Sequence, residues 1–271
     1  MASMTAKEMW DPTNTDKFST LAIGVAKDIL KNVDEIDELY EWLDKQGRCG
    51  FNGEEEVYQY VKHFLCELMI VECQNYIDTS PYEQADKIIE RIHHLEESVG
   101  ELPDKTKVIL SLAKVYKGEP EEAIEIAKKI VDDITKRPLY RADACFTLCF
   151  AHLRMDQVEA WQESINWGDK GIEILKNILK KKNEVGQTSI IKKQAREILG
   201  KILTVKGLVH HEKIVNFKEA EECYKQGLKY KSQSNDLLGC AISNGSLGRL
   251  YFTLAVNNKM TDDGHNNIQV E

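Results

Sequence analysis

From Ser80 onward the sequence is a run of helix-length amphipathic segments joined by loops of a few residues, and loops that short force neighbouring helices antiparallel. The start signals are explicit. Ser80-Pro81-Tyr82-Glu83 supplies an N-cap, a proline at the first helical position and the glutamate of a capping box. Pro103, Pro120 and Pro138 each suit the first turn of a further helix, where a missing N–H costs nothing. Asp156-Gln157-Val158-Glu159 is a second capping box and opens a long helix to about Lys182. After a loop at Gly186-Gln187-Thr188-Ser189, helices follow near 189–213, from Asn216 and from Asn235-Asp236, the last fading at Asn257-Asn258. Upstream, the same periodicity predicts helices near 16–31, 34–46 and 53–77. The expectation is an all-α chain of about eleven helices without a sheet. It divides into a disordered N-terminus (1–15), a helical cap region (16–79), stacked helix pairs (80–256) and a flexible tail (257–271).

Composition removes several classes. Five prolines in 271 residues, against abundant Leu, Ile, Glu, Lys and Ala, favour helix over sheet. No uncharged apolar run reaches the roughly 18 residues a membrane span requires. Met1-Ala2-Ser3-Met4-Thr5-Ala6-Lys7 lacks the apolar core of a secretory signal. Seven cysteines, an odd number without CxxC spacing, predict a reduced, cytoplasmic protein. The net charge of −9 conceals a basic stretch: Lys176–Lys231 holds 14 Lys and Arg against 6 Asp and Glu, a balance of +8. Local field of this kind steers partners more than net charge does.

Small residues recur where paired helices must touch. Leu247-Gly248-Arg249-Leu250-Tyr251 is the clearest case, together with Asn216-Phe217-Lys218-Glu219-Ala220 followed by Tyr224 and Gly227-Leu228. Weaker copies are Leu112-Ala113 with Tyr116 (then Glu121-Glu122-Ala123 and Ala127), Leu148-Cys149 with His152, Leu199-Gly200 with Gly207 competing for the role, and Ala85 after Tyr82. Over about Tyr82–Ala255 this pattern resembles the tetratricopeptide repeat (TPR), whose helix A carries Leu-Gly then Tyr and whose helix B carries Ala, an aromatic and Ala. The leucines at 112, 148, 199 and 247 lie 36, 51 and 48 apart, against a family unit of about 34 residues, so the later pairs should hold extended helices. The resemblance implies a right-handed α-solenoid of antiparallel helix pairs, an inner wall built mainly by the A helices, and a non-catalytic scaffold role in protein binding.

Carried over by register, the wall positions two after each leucine are Lys114, Phe150, Lys201 and Arg249, and those five after include Lys117 and Phe252, with Leu153 and Thr204. Such a wall suits a protein or peptide partner, acidic with apolar anchors. None of the first four is Asn, so the variant of the family that grips a terminal carboxylate is not expected.

Signals for chemistry are weak. No nucleophile motif, glycine-rich phosphate loop or paired acidic signature is present, and no enzyme activity or cofactor is expected. Cys145, Cys149 and His152 form one helical stripe, but ligands for a tetrahedral ion should converge from two elements, so packing is preferred and no metal site is assigned. His93-His94 and His210-His211 are adjacent pairs whose rings point to different helix faces. The densest positive patch is Lys180, Lys181, Lys182, Lys192, Lys193 and Arg196; it raises single-stranded RNA binding over 176–231 as the alternative function, although lysines at a helix end also complement its dipole. The last helix has no evident helix B, so its apolar face (Leu247, Leu250, Leu254) needs cover from the tail, a second copy or further chain.

Overall fold

The computed structural model describes residues 80–99, 102–180 and 188–266, with Ile70, Cys73, Gln74, Tyr76 and Ile77 also placed. The expectations for residues 1–15, for most of 16–79, for Lys181, Lys182 and Gly186-Gln187, and for 267–271 lie outside the described residues. Eight α-helices and no strand are found among the described residues: α1 (Pro81–Val99), α2 (Asp104–Lys117), α3 (Pro120–Asp132), α4 (Pro138–Arg154), α5 (Val158–Lys180), α6 (Thr188–Leu208), α7 (Phe217–Gln233) and α8 (Leu237–Asn266). The chain divides into two compact units, one ending at Lys117 and the other starting at Gly118. None of the described helices is long and apolar enough to cross a membrane.

In the first unit α1 packs on α2. Ile88 and Ile92 are buried a turn apart on α1, and Ile109, Leu112 and Ala113 on α2. The Tyr82 and Tyr116 rings meet edge to face at 5.1 Å, and Lys117 pairs with Asp86 at 3.3 Å. Gly118 then takes φ +93°, a left-handed turn that glycine adopts without a Cβ penalty.

In the second unit Pro120 and Pro138 occupy first helical turns, as expected. α3 buries Ala123, Ala127, Ile130 and Val131, a single narrow stripe. α4 is buried almost all round, with Ala142, Ala144, Cys145, Phe146, Leu148, Cys149 and Ala151 in the core. This follows from its neighbours: α4 packs against α3, α5 and α6. α5 answers with small residues: Ala160, Ser164, Gly168 and Gly171 precede Leu175 on its buried face. A Cβ on Gly171 would lie 2.9 Å from Cys145 Cβ and 2.7 Å from Ile202 Cδ1, so α4 and α6 both press on this helix. α6 likewise touches α5, α7 and α8.

α6 continues as a π-helical turn over Val209–Ile214, ended by Val215 at φ 60°. A β-branched residue in the left-handed region is a conformational outlier. Asn216 caps α7 as expected, its Oδ1 accepting the Glu219 N–H at 3.2 Å, and Asp236 does the same for α8, accepting from Gly239 N at 2.8 Å. Three boundaries differ from the sequence reading. α6 already begins at Thr188, inside the expected 186–189 loop. α5 begins at Val158, while the Asp156 carboxylate turns to Lys213 Nζ at 3.6 Å. α8 runs to Asn266 instead of fading at Asn257-Asn258; the segment holds no proline to stop it.

Candidate functional site

The geometry of the site follows from how α7 lies on α6. Gly200 and Gly227 bring the two backbones together: a Cβ on Gly200 would sit 3.2 Å from the Gly227 carbonyl oxygen and 2.5 Å from Lys231 Cγ. Gly227 in turn lies against Thr204 and Leu203, and Gly207 lies under the Tyr224 ring, 2.5 Å from where its Cβ would be. Gly200, Leu203, Thr204 and Gly207 are therefore the positions of α6 that α7 covers, and all four are buried.

Shifting these positions by the 48 residues between Leu199 and Leu247 gives Gly248, Tyr251, Phe252 and Ala255 on α8. The inward-facing positions keep their burial: Leu199 and Leu247, then Ile202 and Leu250, are core residues in both helices. Leu247 and Leu250 pack with Ala220 and Tyr224 of α7, flanked by Leu208, Phe217, Leu228 and Leu254. The face that α7 covers on α6 is open on α8. Tyr251 is 45% and Phe252 71% exposed, whereas their α6 counterparts Leu203 and Thr204 are 5% and 6% exposed. Gly248 and Ala255 are exposed too, with nothing within 4 Å of a Cβ on Gly248. Leu238, Ile242 and Val256 extend the exposed apolar surface along the helix. The uncovered surface is thus not the Leu247–Leu250–Leu254 face that the sequence marked as needing cover.

The other wall residues vary in setting. Lys114 is half-buried and Lys117 exposed, both on α2 in the first unit. In the second unit Phe150 is half-buried, stacked on Phe146 with centroids 6.2 Å apart and with the Arg154 guanidinium 5.9 Å from its centroid. Lys201 is half-buried on α6. Arg249 is exposed and pairs with Glu212 at 2.7 Å. The positions five after each leucine diverge, Leu153 and Thr204 being buried while Phe252 is open.

The basic stretch is less available than its count suggests. Lys206 pairs with Asp169, Lys213 with Asp156, Lys193 with Glu197 at 3.8 Å and Lys225 with Glu221 at 2.6 Å. Lys180 and Lys193 are exposed, Lys192 and Arg196 half-buried. Lys231 is 2% exposed, although it closes the basic stretch. Its stem passes over Gly200, and its ammonium donates to Thr204 Oγ1 at 2.8 Å and to Ser243 Oγ at 3.0 Å. Burial without a carboxylate in contact lowers its pKa to about 8, held there against the raising effect of Asp236.

The Cys145–Cys149–His152 stripe is a packing surface. Cys149 Sγ lies 3.5 Å from Ser164 Oγ, which donates to the Cys149 carbonyl at 2.6 Å. Desolvation pushes both thiols up to about 12. Trp161 and Trp167, on different sides of α5, are both half-buried; Trp161 Nε1 donates to the Met155 carbonyl at 3.0 Å and Lys213 lies over its ring, while Lys170 covers Trp167. Searches of protein-family models, curated proteins and solved structures find nothing that matches the chain.

Proposed function

We propose that the chain is a non-catalytic, TPR-like helical-repeat scaffold that holds a helical segment of a partner protein on α8. The observation that carries this reading is the match between covered α6 and open α8. The face that seats α7 on α6 keeps small residues at two of its four positions 48 residues on, Gly248 and Ala255, with Tyr251 and Phe252 at the other two and nothing seated there among the described residues. The contacts α4–α6 and α6–α8, alternating with α5 and α7 between them, fit a solenoid whose A helices are α4, α6 and α8. A partner that mimics α7 presents an apolar helix face with Gly or Ala opposite Gly248, as Gly227 stands opposite Gly200. Arg249, beside Gly248, offers its guanidinium to an acidic residue that replaces Glu212. The single-stranded RNA alternative is the weaker reading, because so many lysines of 176–231 are engaged within the fold.

The test compares proteins captured from native lysate by the wild-type chain and by the double variant Gly248→Leu with Phe252→Asp. Both positions are exposed, so the variant keeps its helix content. The reading requires that a protein be lost from the variant and that, mixed pure with wild type, it slow amide exchange over 245–256. Capture of the same set by both forms would overturn it.

A further inference from the structure

We propose that His210, Glu219 and Cys223 form a binding site for a divalent cation of the zinc class. The three ligand atoms already lie within 4.8 Å of one another. They come from two elements. His210 sits in the π turn that extends α6, and Glu219 and Cys223 are one turn apart on the facing side of α7. This is the convergence from two elements that the Cys145–Cys149–His152 stripe, on one helix, lacks. Zinc–ligand bonds of about 2.0–2.3 Å imply ligand separations of roughly 3–4 Å, so closing the set from 4.8 Å is within reach of side-chain rotation.

The local backbone is built to hold His210 against α7. The π turn widens the helix by one residue, and Val215 at φ 60° reverses the chain at once. The His210 carbonyl accepts the N–H groups of both Val215 and Asn216, the latter at 2.8 Å, fixing the hairpin at the histidine itself. A left-handed valine costs on the order of 1–3 kcal/mol, and π turns and such outliers concentrate at functional sites.

The ligand set has the right chemistry and the right vacancies. His210 Nδ1 is buried with no hydrogen-bond partner, as are both His152 ring nitrogens and His211 Nδ1, but of these histidines His210 alone lies in the cluster with a carboxylate and a thiol. Cys223 is 5% exposed. The incoming ion displaces its thiol proton to solvent as the sulfur–metal bond forms. Glu219 is exposed, which opens an entry path and leaves the fourth position to water. Thiolate, imidazole and carboxylate together suit Zn²⁺ and its spectroscopic substitute Co²⁺, and not the all-oxygen cations.

The experiment titrates the chelator-treated, reduced full chain with Co²⁺. One equivalent should produce a near-ultraviolet thiolate-to-cobalt band and visible tetrahedral bands, all removed by Zn²⁺. Cys223→Ser should lose the near-ultraviolet band, and Glu219→Gln, which keeps the backbone N–H that Asn216 caps, should weaken binding at least tenfold. Far-ultraviolet circular dichroism confirms that both variants fold. A wild type with no thiolate band at millimolar Co²⁺, or a band undiminished in Cys223→Ser, overturns the proposal.

Discussion

Lys231 gives the most demanding test of the packing between α6, α7 and α8. Its ammonium is confined with two hydroxyls, Thr204 and Ser243, and its pKa falls from 10.5 to about 8. A base whose pKa is depressed by folding binds fewer protons in the native than in the unfolded chain between those two values. The Lys231 contribution to stability must therefore rise with pH from about 8 to 10.5, and below pH 8 the native state carries the full cost of the buried charge. At 1.36 kcal/mol per pKa unit that cost is about 3 kcal/mol. Lys231→Met keeps an unbranched stem over Gly200 and removes the charge. It also removes two hydrogen bonds, each worth about 1 kcal/mol when the amine is neutral. Thr204 Oγ1 keeps the Gly200 carbonyl at 2.9 Å and Ser243 Oγ at 3.3 Å, so neither hydroxyl is orphaned. The variant should therefore be more stable than wild type by about 1–2 kcal/mol at pH 7 and less stable by a similar amount above pH 10. The two curves should cross near pH 9. Urea unfolding followed by circular dichroism at half-unit steps from pH 7 to 10.5 measures both, and the difference between the curves cancels every other titrating group. Parallel curves, or a variant destabilised at pH 7, would refute the assignment of Lys231 as a charge that folding desolvates.

Two glycine substitutions should act in opposite directions. Gly207→Ala drives a methyl into the fully buried Tyr224 ring, and the roughly 1–3 kcal/mol of overpacking should outweigh the propensity gain of about 1 kcal/mol, giving a net loss in urea unfolding. Gly245→Ala on α8 meets nothing within 4 Å, so propensity alone should act and stabilise by about 0.5–1 kcal/mol; destabilisation would mean that the open face is covered. Cys145 and Cys149, buried with thiols pushed up to about 12, should resist iodoacetamide at pH 8 in the native chain and react fully in urea, whereas half-buried Cys240 should react before either of them. Peptide mass spectrometry checks the order, and early modification of Cys149 would contradict the α4–α5 packing.

What could be read from the sequence was what local chemistry decides. Pro120, Pro138, Asn216 and Asp236 start helices where expected, because a cap or an N1 proline needs only its own first turn. The Asp156 capping box is displaced by one residue, because the first-turn N–H groups of Ala160 and Trp161 bond to the Gln157 carbonyl. The α5 stripe of Ala160, Ser164, Gly168 and Gly171 lies outside the Leu-Gly signal. Leu-Gly headings mark the helix that presents the ridge, and α5 receives ridges from two others. Nothing beside Lys231 in the sequence marks it as buried, since its burial depends on Gly200 lacking a side chain 31 residues earlier. His210, Glu219 and Cys223 are unremarkable along the chain, and only the reversal at Val215 brings them together.

The limit is sharpest at α6 and α8. Leu199-Gly200 and Leu247-Gly248 are the same signal, and both headings do the same inward work, with Leu199 and Leu247 in the core. On the outward side the letters say nothing, because whether a glycine is covered depends on another element arriving. α7 arrives on Gly200; among the described residues nothing arrives on Gly248. Thr204 against Phe252 records the difference chemically. The covered position carries a small hydroxyl that bonds to the Gly200 carbonyl and to Lys231, and the open one carries a large apolar ring that is 71% exposed. A helix face kept small at Gly248 and Ala255, and given Tyr251 and Phe252 beside them, is costly to leave in water and well shaped to receive another helix. Filling it with Gly248→Leu should therefore abolish partner binding while leaving the unfolding midpoint of the isolated chain unchanged or raised. A loss of stability without loss of binding would place the partner elsewhere.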